Sequence, residues 1–375
     1  MPKFHHRFTP ARGSVLGNSV DLATRQIEDA GILEVLQTPG AALGTWAVFD
    51  ALLVPGHEWF VFHSPLGQSR EVKTALSGLF GRFVARAYAT HHLGFSHFQT
   101  IHSPPMQLTG AGGYVRRSRG HPSGDLPDWA AWGPSGQLAI IEAKGCNAAS
   151  GLGTVLAKAY EQSKRATITV GRRNATFKRY AIATRWGVDT LGSDPKLWVQ
   201  DPPVKGTTTP DEQAALGVGL VRRHYASLMN GLGLVELAEA LSDLAGAAPE
   251  DQVVAQQRAG QVLNDAPRRR VDAEQRSDPI EAVVGAYVTR GGRLPADEVL
   301  TTDDHRVLTK LKLRPALVGV EQITLKAAIA GDLEGLNARL PAAIESAAPE
   351  RAPSLDRSGV WISRLDEDLV RIEGD

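Results

Sequence analysis

The sequence predicts an α/β chain, with a β-containing segment at its start and a mainly α-helical region at its end. Three observations carry that expectation. Two apolar runs, 126–132 and 138–145, flank Gly133-Pro134-Ser135-Gly136, the signature of a β-hairpin turn. Ahead of them, Leu76, Leu79, Phe80, Phe83, Val84 and Ala87 recur at helical spacing. Beyond Asp201-Pro202-Pro203 the texture changes to Ala- and Leu-rich segments with polar or proline-containing breaks.

Taken in order, the first 66 residues hold apolar stretches at 45–53 and 59–63, broken by Pro55-Gly56 and Pro65-Leu66-Gly67, which predicts short strands joined by turns. One long amphipathic helix is expected over 69–91, with Arg82 and Arg86 off its apolar stripe. A strand near 98–102 and a Gly- and Arg-rich loop at 110–124 precede the hairpin. A helix over 154–167 follows, then strands at 168–170, 180–186 and 197–200, an α-β-β-β-α-β order. Helices are expected at 212–229 and 234–244. The polar stretch 247–278, with Arg268-Arg269-Arg270, reads as a solvated helix or a flexible linker, the linker favoured, and 278–375 is expected to be mainly helical with a final strand near 360–364. The expected division is 1–68, 69–203, 204–277 and 278–375; no internal repeat is visible.

With 375 residues the chain exceeds what one hydrophobic core ordinarily serves, and 42% hydrophobic against 22% charged residues is too apolar for a chain disordered throughout. Net charge is zero, so attraction to nucleic acid depends on local charge. Between 112 and 185 bases outnumber acids: Arg116, Arg117, Arg119, Lys144, Lys158, Lys164, Arg165, Arg172, Arg173, Lys178, Arg179 and Arg185 face only Asp125, Asp128, Glu142 and Glu161. A single cysteine, Cys146, excludes an internal disulfide framework and a multi-thiolate zinc site. The histidines show no repeated ligand spacing, and neither Gly-rich stretch, 110–113 or 151–153, continues into the Lys-Ser or Lys-Thr of a phosphate loop. The start, Met-Pro-Lys-Phe-His-His-Arg, lacks the apolar run of a signal peptide, and no segment has the ~18 apolar residues of a membrane span, so a cytoplasmic location is expected.

The chemistry is concentrated in Gly124-Asp125-Leu126-Pro127-Asp128 and Glu142-Ala143-Lys144-Gly145. Two acids and a lysine lie in otherwise apolar strands. If Trp132 opposes Gln137 across the turn, Pro127 opposes Glu142; a slip of one residue sets Asp128 opposite Glu142. In either register the carboxylates are neighbours, and strand alternation puts Glu142 and Lys144 on one face. Two carboxylates forced together inside a sheet repel, a conflict that a divalent cation resolves. Hard oxygen donors in small number suit Mg²⁺ or Mn²⁺.

These residues resemble the PD-(D/E)XK nuclease superfamily: Pro127-Asp128 matches the first half of its motif and Glu142-Ala143-Lys144 the second, within roughly residues 69–200. The resemblance implies a restriction-endonuclease-like core, a central mixed β-sheet flanked by helices. Asp128 and Glu142 would bind the metal and Lys144 would assist hydrolysis. Many relatives carry a polar residue beside the site in the following helix, where Gln162 matches and shares a predicted helical face with Lys158 and Arg165. Many also place a metal-binding glutamate in the preceding helix, where Gly81-Arg82-Phe83 offers arginine; Glu71, near the helix start, is the substitute there, and Asp125 is a further candidate ligand in another register. Phosphate contacts are expected from Arg116, Arg117, Arg119, Lys158, Lys164, Arg165, Arg172 and Arg173, with Lys178 and Arg179 beside them. The implied activity is metal-dependent phosphodiester hydrolysis, in DNA, in the setting of bacterial defence against foreign DNA. The rival expectation is a nuclease-like nucleic-acid-binding or scaffold subunit without turnover. The C-terminal helices would serve a second copy or a partner protein, and no membrane is expected.

Overall fold

The computed structural model describes residues 2–11, 13–38, 54, 56–63, 70–102, 104–147, 151–203, 206–271, 280–288, 293–295, 316–340 and 354–364. The chain divides into two compact units: 1–34 with 46–220, and 35–45 with 221–375.

In the first unit the elements run β1 (Lys3–Thr9), β2 (Leu16–Asp21), α1 (Thr24–Gln37), β3 (Val61–Phe62), α2 (Arg70–His91), β4 (His97–Thr100), β5 (Met106–Thr109), β6 (Gly113–Arg117), β7 (Trp129–Trp132), β8 (Leu138–Cys146), α3 (Leu152–Ser163), β9 (Ala166–Val170), β10 (Arg173–Asn174), β11 (Lys178–Arg185), β12 (Gly187–Val188) and β13 (Lys196–Gln200); helix α4 (Pro210–Gly231) follows. Seven strands form one mixed sheet in the order β2-β1-β13-β11-β8-β7-β4. β1 is parallel to β13 and β8 to β11, while the remaining neighbours are antiparallel. The first two strands therefore belong to the same sheet as the central hairpin. The expected all-strand reading of the start is corrected by α1, whose Ile27, Ala30, Leu33 and Glu34 are buried at helical spacing. The strand expected at 45–53 lies outside the described residues. The Gly- and Arg-rich stretch expected as a loop contains β6, the second strand in a four-stranded sheet ordered β5-β6-β9-β10; Val115 is buried while Tyr114 and Arg116 alternate with it.

The hairpin β7–β8 is apolar on both faces because a helix covers each. Leu152, Leu156 and Ala159 of α3 pack on Ala181 and Ala183 of β11, which pair with Glu142 and Lys144 and so share their face. On the opposite face α2 meets β8 backbone to backbone: a Cβ on Gly145 would stand 1.7 Å from the Ser77 carbonyl oxygen, and one on Gly81 would stand 2.4 Å from the Gly145 nitrogen. A third close approach, Gly31 of α1 on the Phe83 ring at 2.9 Å from its Cβ position, brings α1 onto α2.

The second unit contains the rest of α4, α5 (Val235–Gly246), α6 (Gln252–Asp265), β14 (Arg268–Val271), β15 (Ile280–Val288), β16 (Arg293–Pro295), β17 (Ala316–Glu321), α7 (Gln322–Ala330), α8 (Leu333–Arg339), β18 (Ser354–Leu355) and β19 (Val360–Arg364). Within the stretch 247–278, favoured as a linker, the described residues include helix α6, whose buried residues are Ala259 and Leu263, one turn apart, and strand β14. Among the described residues of 278–375, the expectation of a mainly helical end is corrected by strands beside α7 and α8. Strands run β14-β15-β17-β19-β18, with β16 on β15, every pairing antiparallel, and the strand expected at 360–364 is β19. The apolar runs Ile280–Val288 and Ala316–Glu321 have no helix or strand period, and Gly285 opposes Gly319 so closely that neither site has room for a Cβ. Buried Arg222 donates to the carbonyl oxygens of Ala328 (3.1 Å), Ile329 (2.8 Å) and Leu244 (3.4 Å), closing the ends of α7 and α5. Among the described residues no helix is long and apolar enough to cross a membrane.

Gly145→Ala is expected to destabilise the first unit by about 3 kcal/mol through backbone overlap. Gly78→Ala, on α2 with no atom within 4 Å of its Cβ position, should stabilise it by about 0.5–1 kcal/mol. Urea unfolding of the two variants checks both the magnitude and the opposite signs.

Candidate active site

Asp128 precedes β7 directly. Trp129 pairs Ile141 and Trp132 pairs Leu138, and the same register carried back one residue sets Asp128 opposite Glu142. Of the two registers open to the sequence, the hairpin takes the one that confronts the carboxylates. Gly133 N–H donates to the Gln137 carbonyl (3.0 Å), and Gly136, with φ at +77°, closes the turn that sets this register.

Each carboxylate is held by the other strand's backbone. Asp128 N–H donates to Glu142 Oε2 at 3.1 Å, and Ala143 N–H donates to Asp128 Oδ2 at 2.7 Å. Lys144 Nζ lies 2.7 Å from Glu142 Oε1; Glu142 is fully buried, whereas the Lys144 side chain is 35% exposed. Arg82, from the middle of α2, reaches Asp128 Oδ1 with Nη1. The same guanidinium donates through Nε to Glu34 Oε1 at 2.6 Å, pairs with it again through Nη2, and lies 4.9 Å over the Trp129 ring. Glu34, 1% exposed, accepts on Oε2 from Arg86 Nη1 (3.2 Å) and Trp129 Nε1 (3.0 Å).

Among the described residues three acids and three cations thus share one network, and burial is the largest influence on Asp128 and Glu142. Burial pushes the Asp128 carboxyl above its usual range, against the pull of Arg82 and of the Ala143 N–H. Glu142 is pushed well up by burial and then by Asp128, with Lys144 opposing. For Arg82 burial works against the charge, but Glu34 and Asp128 outweigh it and hold the guanidinium protonated.

The segment ahead of Asp128 is held by three consecutive carbonyls. Arg117 Nη1 donates to Gly124 (2.8 Å), Arg165 Nη1 to Asp125 (3.1 Å) and Gln162 Nε2 to Leu126 (2.7 Å). Gln162 is buried and meets the site through this loop. The expected shared helical face of Lys158, Gln162 and Arg165 is corrected: α3 ends at Ser163, so Arg165 lies beyond it, and Lys158 is exposed where Gln162 is buried. Two candidate ligands do not join the carboxylates. Asp125 is exposed and takes part through its backbone carbonyl, and exposed Glu71 lies in the first turn of α2, about 16 Å along the helix from Arg82. Of the expected phosphate contacts, Lys164 pairs with Glu161 over the Tyr160 ring, Arg173 pairs with Glu212, and Arg116 lies over Tyr114. Arg119, Lys158 and Arg172 are exposed.

Glu34, Arg86 and Trp129 were not anticipated. The available signal for Glu34 was a lone acid inside Ile32-Leu33-Glu34-Val35-Leu36, on a segment taken for strands.

Among the described residues no three His, Cys, Asp or Glu side chains converge on one cation position. Asp128 and Glu142 alone nevertheless fit an ion that needs few protein ligands. Glu142 Oε1 is buried and faces the Lys144 ammonium without hydrogen-bond geometry, leaving a hard donor open to a stronger cation. Asp128 Oδ1, the neighbouring hard donor, is paired with Arg82 Nη1. Compared with protein-family models, with curated proteins and with solved structures, the chain gives no match.

Because Glu142 holds its proton more tightly in the folded chain than in the unfolded one, folding stability should fall as pH rises from its ordinary value of 4.5 through the raised folded value. In EDTA, Glu142→Gln is expected to flatten this fall and to melt higher than wild type at neutral pH. Melting temperatures of the two proteins across pH 4–8 check the sign.

Proposed function

We propose that the first unit is a divalent-metal-dependent nuclease with a restriction-endonuclease-like core, hydrolysing phosphodiester bonds in DNA. The observation that carries this reading is the confrontation of Asp128 and Glu142 across β7–β8, both withdrawn from water, with Lys144 on the same strand. Sheets do not keep two such carboxylates together without a counter-charge. Asp128 and Glu142 would hold Mg²⁺ or Mn²⁺, which when bound supplies Lewis acidity toward the phosphodiester and a water of lowered pKa. Lys144 keeps its ammonium partly in solvent, where it meets charge developing on a phosphate oxygen or orients the attacking water. Gln162, Arg165 and Arg117 fix the 124–126 segment and thereby the point at which Asp128 enters the site. Exposed Arg119, Lys158 and Arg172 offer sequence-independent phosphate contacts.

One observation favours a second reading, a nucleic-acid-binding or scaffold protein without turnover. Among the described residues Glu34, Asp128 and Glu142 each already have a cation beside them, from Arg82, Arg86 or Lys144.

Cleavage of supercoiled, linear and single-stranded DNA with Mg²⁺ or Mn²⁺ separates the two. Glu142→Ala and Lys144→Ala, at matched folding, should each lose at least about a hundredfold in rate, and EDTA should abolish the activity. No wild-type cleavage, with DNA binding unchanged by either substitution, would favour the scaffold.

A further inference from the structure

We propose that Arg82 is an internal counter-ion for Asp128 that a divalent cation must displace, with Glu34 as the dock that retains the released guanidinium. The proposal rests on the metal-dependent reading above and adds to it a residue that sets the metal affinity.

The asymmetry of the contacts supports it. Arg82 gives each acid one hydrogen bond, Nη1 to Asp128 and Nε to Glu34, but on the Glu34 side Nη2 adds an ion-pair contact to the same Oε1, and the guanidinium lies over Trp129. Glu34 is anchored independently by Arg86 and by the Trp129 indole, so it stays in place whatever Arg82 does at its other end. Asp128 likewise stays in place without Arg82, because the Ala143 N–H grips Oδ2 and leaves only Oδ1 to the guanidinium. The two ends therefore differ in ion-pair contact and in burial: Nη2 adds a contact only at Glu34, and Glu34 is 1% exposed against 12% for Asp128. A small rotation about the Glu34 contact frees Asp128 Oδ1 while keeping the guanidinium paired, and a divalent ion then takes over the neutralisation of two neighbouring carboxylates. Solvent thus reaches the Asp128 carboxylate more readily than the Glu34 one. With the ion absent, the same contact keeps Asp128 paired and the site charge-balanced. Metal affinity is then a competition, and weakening the competitor must strengthen it.

Mn²⁺ alone, without nucleic acid, is the probe, its free concentration read by electron paramagnetic resonance against the full-length chain. Arg82→Gln removes the competing charge, and Mn²⁺ should bind at least about tenfold more tightly than to wild type. Arg82→Lys keeps a charge but, with one ammonium, serves Glu34 or Asp128 and not both, so its affinity should fall between the two. Glu142→Ala should abolish binding. Melting in EDTA shows which variants fold, and the wild type supplies a test that needs no variant: with ¹⁵N-labelled arginine, Mg²⁺ should shift the Arg82 Nε–Hε signal. Folded Arg82 variants that bind Mn²⁺ no more tightly than wild type, with binding still lost in Glu142→Ala, would overturn the proposal and leave the metal site standing. An Arg82 signal that does not move while Mg²⁺ binds would overturn it equally. Mn²⁺ binding that is undetectable, or indifferent to Glu142→Ala, would overturn the metal-site reading and this proposal together.

Discussion

The guanidinium of Arg82 is shared between Glu34 and Asp128, and most of the first unit's local structure follows from keeping that shared cation in reach of both. Carboxylates as buried as Glu34 and Glu142 are costly to assemble, and stripping Glu34 of its cations should cost about 3–5 kcal/mol, more than any surface pair contributes. The network is tolerable because almost every buried oxygen has a partner. The backbone N–H groups of Asp128 and Ala143 each serve the opposite carboxylate, Trp129 serves Glu34, and Lys144 faces the remaining Glu142 oxygen. Natural folds seldom keep so much buried charge for stability alone, which is the physical reason to look for function here.

Positions without side chains bring the three sources of charge together. Gly81 and Gly145 let α2 lie directly on β8, and Gly31 lets α1 close on Phe83, one helical turn from Glu34. With a side chain at any of these points the helices would stand off, and Arg82 would lose one end of its bridge. The glycines therefore act on the chemistry through distance, although none contributes a polar group to it.

Much of the hairpin was legible because its signals are local: alternation, a four-residue turn and acids within apolar runs place Asp128, Glu142 and Lys144 together in any reasonable register. The actual register was beyond the sequence, since one residue of slip changes only which backbone groups meet. Glu34 was missed because its partners, Arg82, Arg86 and Trp129, are 48 to 95 residues away, and a lone acid in a helix carries no pointer to them. The sheet of the second unit was missed for a different reason. Runs such as 282–288 are apolar throughout, so periodicity does not separate strand from buried helix, and the Ala- and Leu-rich segments around them tilted the expectation toward helices. Gln162 illustrates a third limit: its position beside the motif segment was legible, but that its amide would hold the Leu126 carbonyl was not.

The central claim is that Asp128 and Glu142 form one cation site. Its most direct test is the anomalous scattering of crystals soaked in Mn²⁺. The account predicts one strong peak in contact with both carboxylates, with Arg82 off Asp128 and still on Glu34. A peak elsewhere, or none at a Mn²⁺ concentration that supports cleavage, with Arg82 still bridging the two acids, would contradict it.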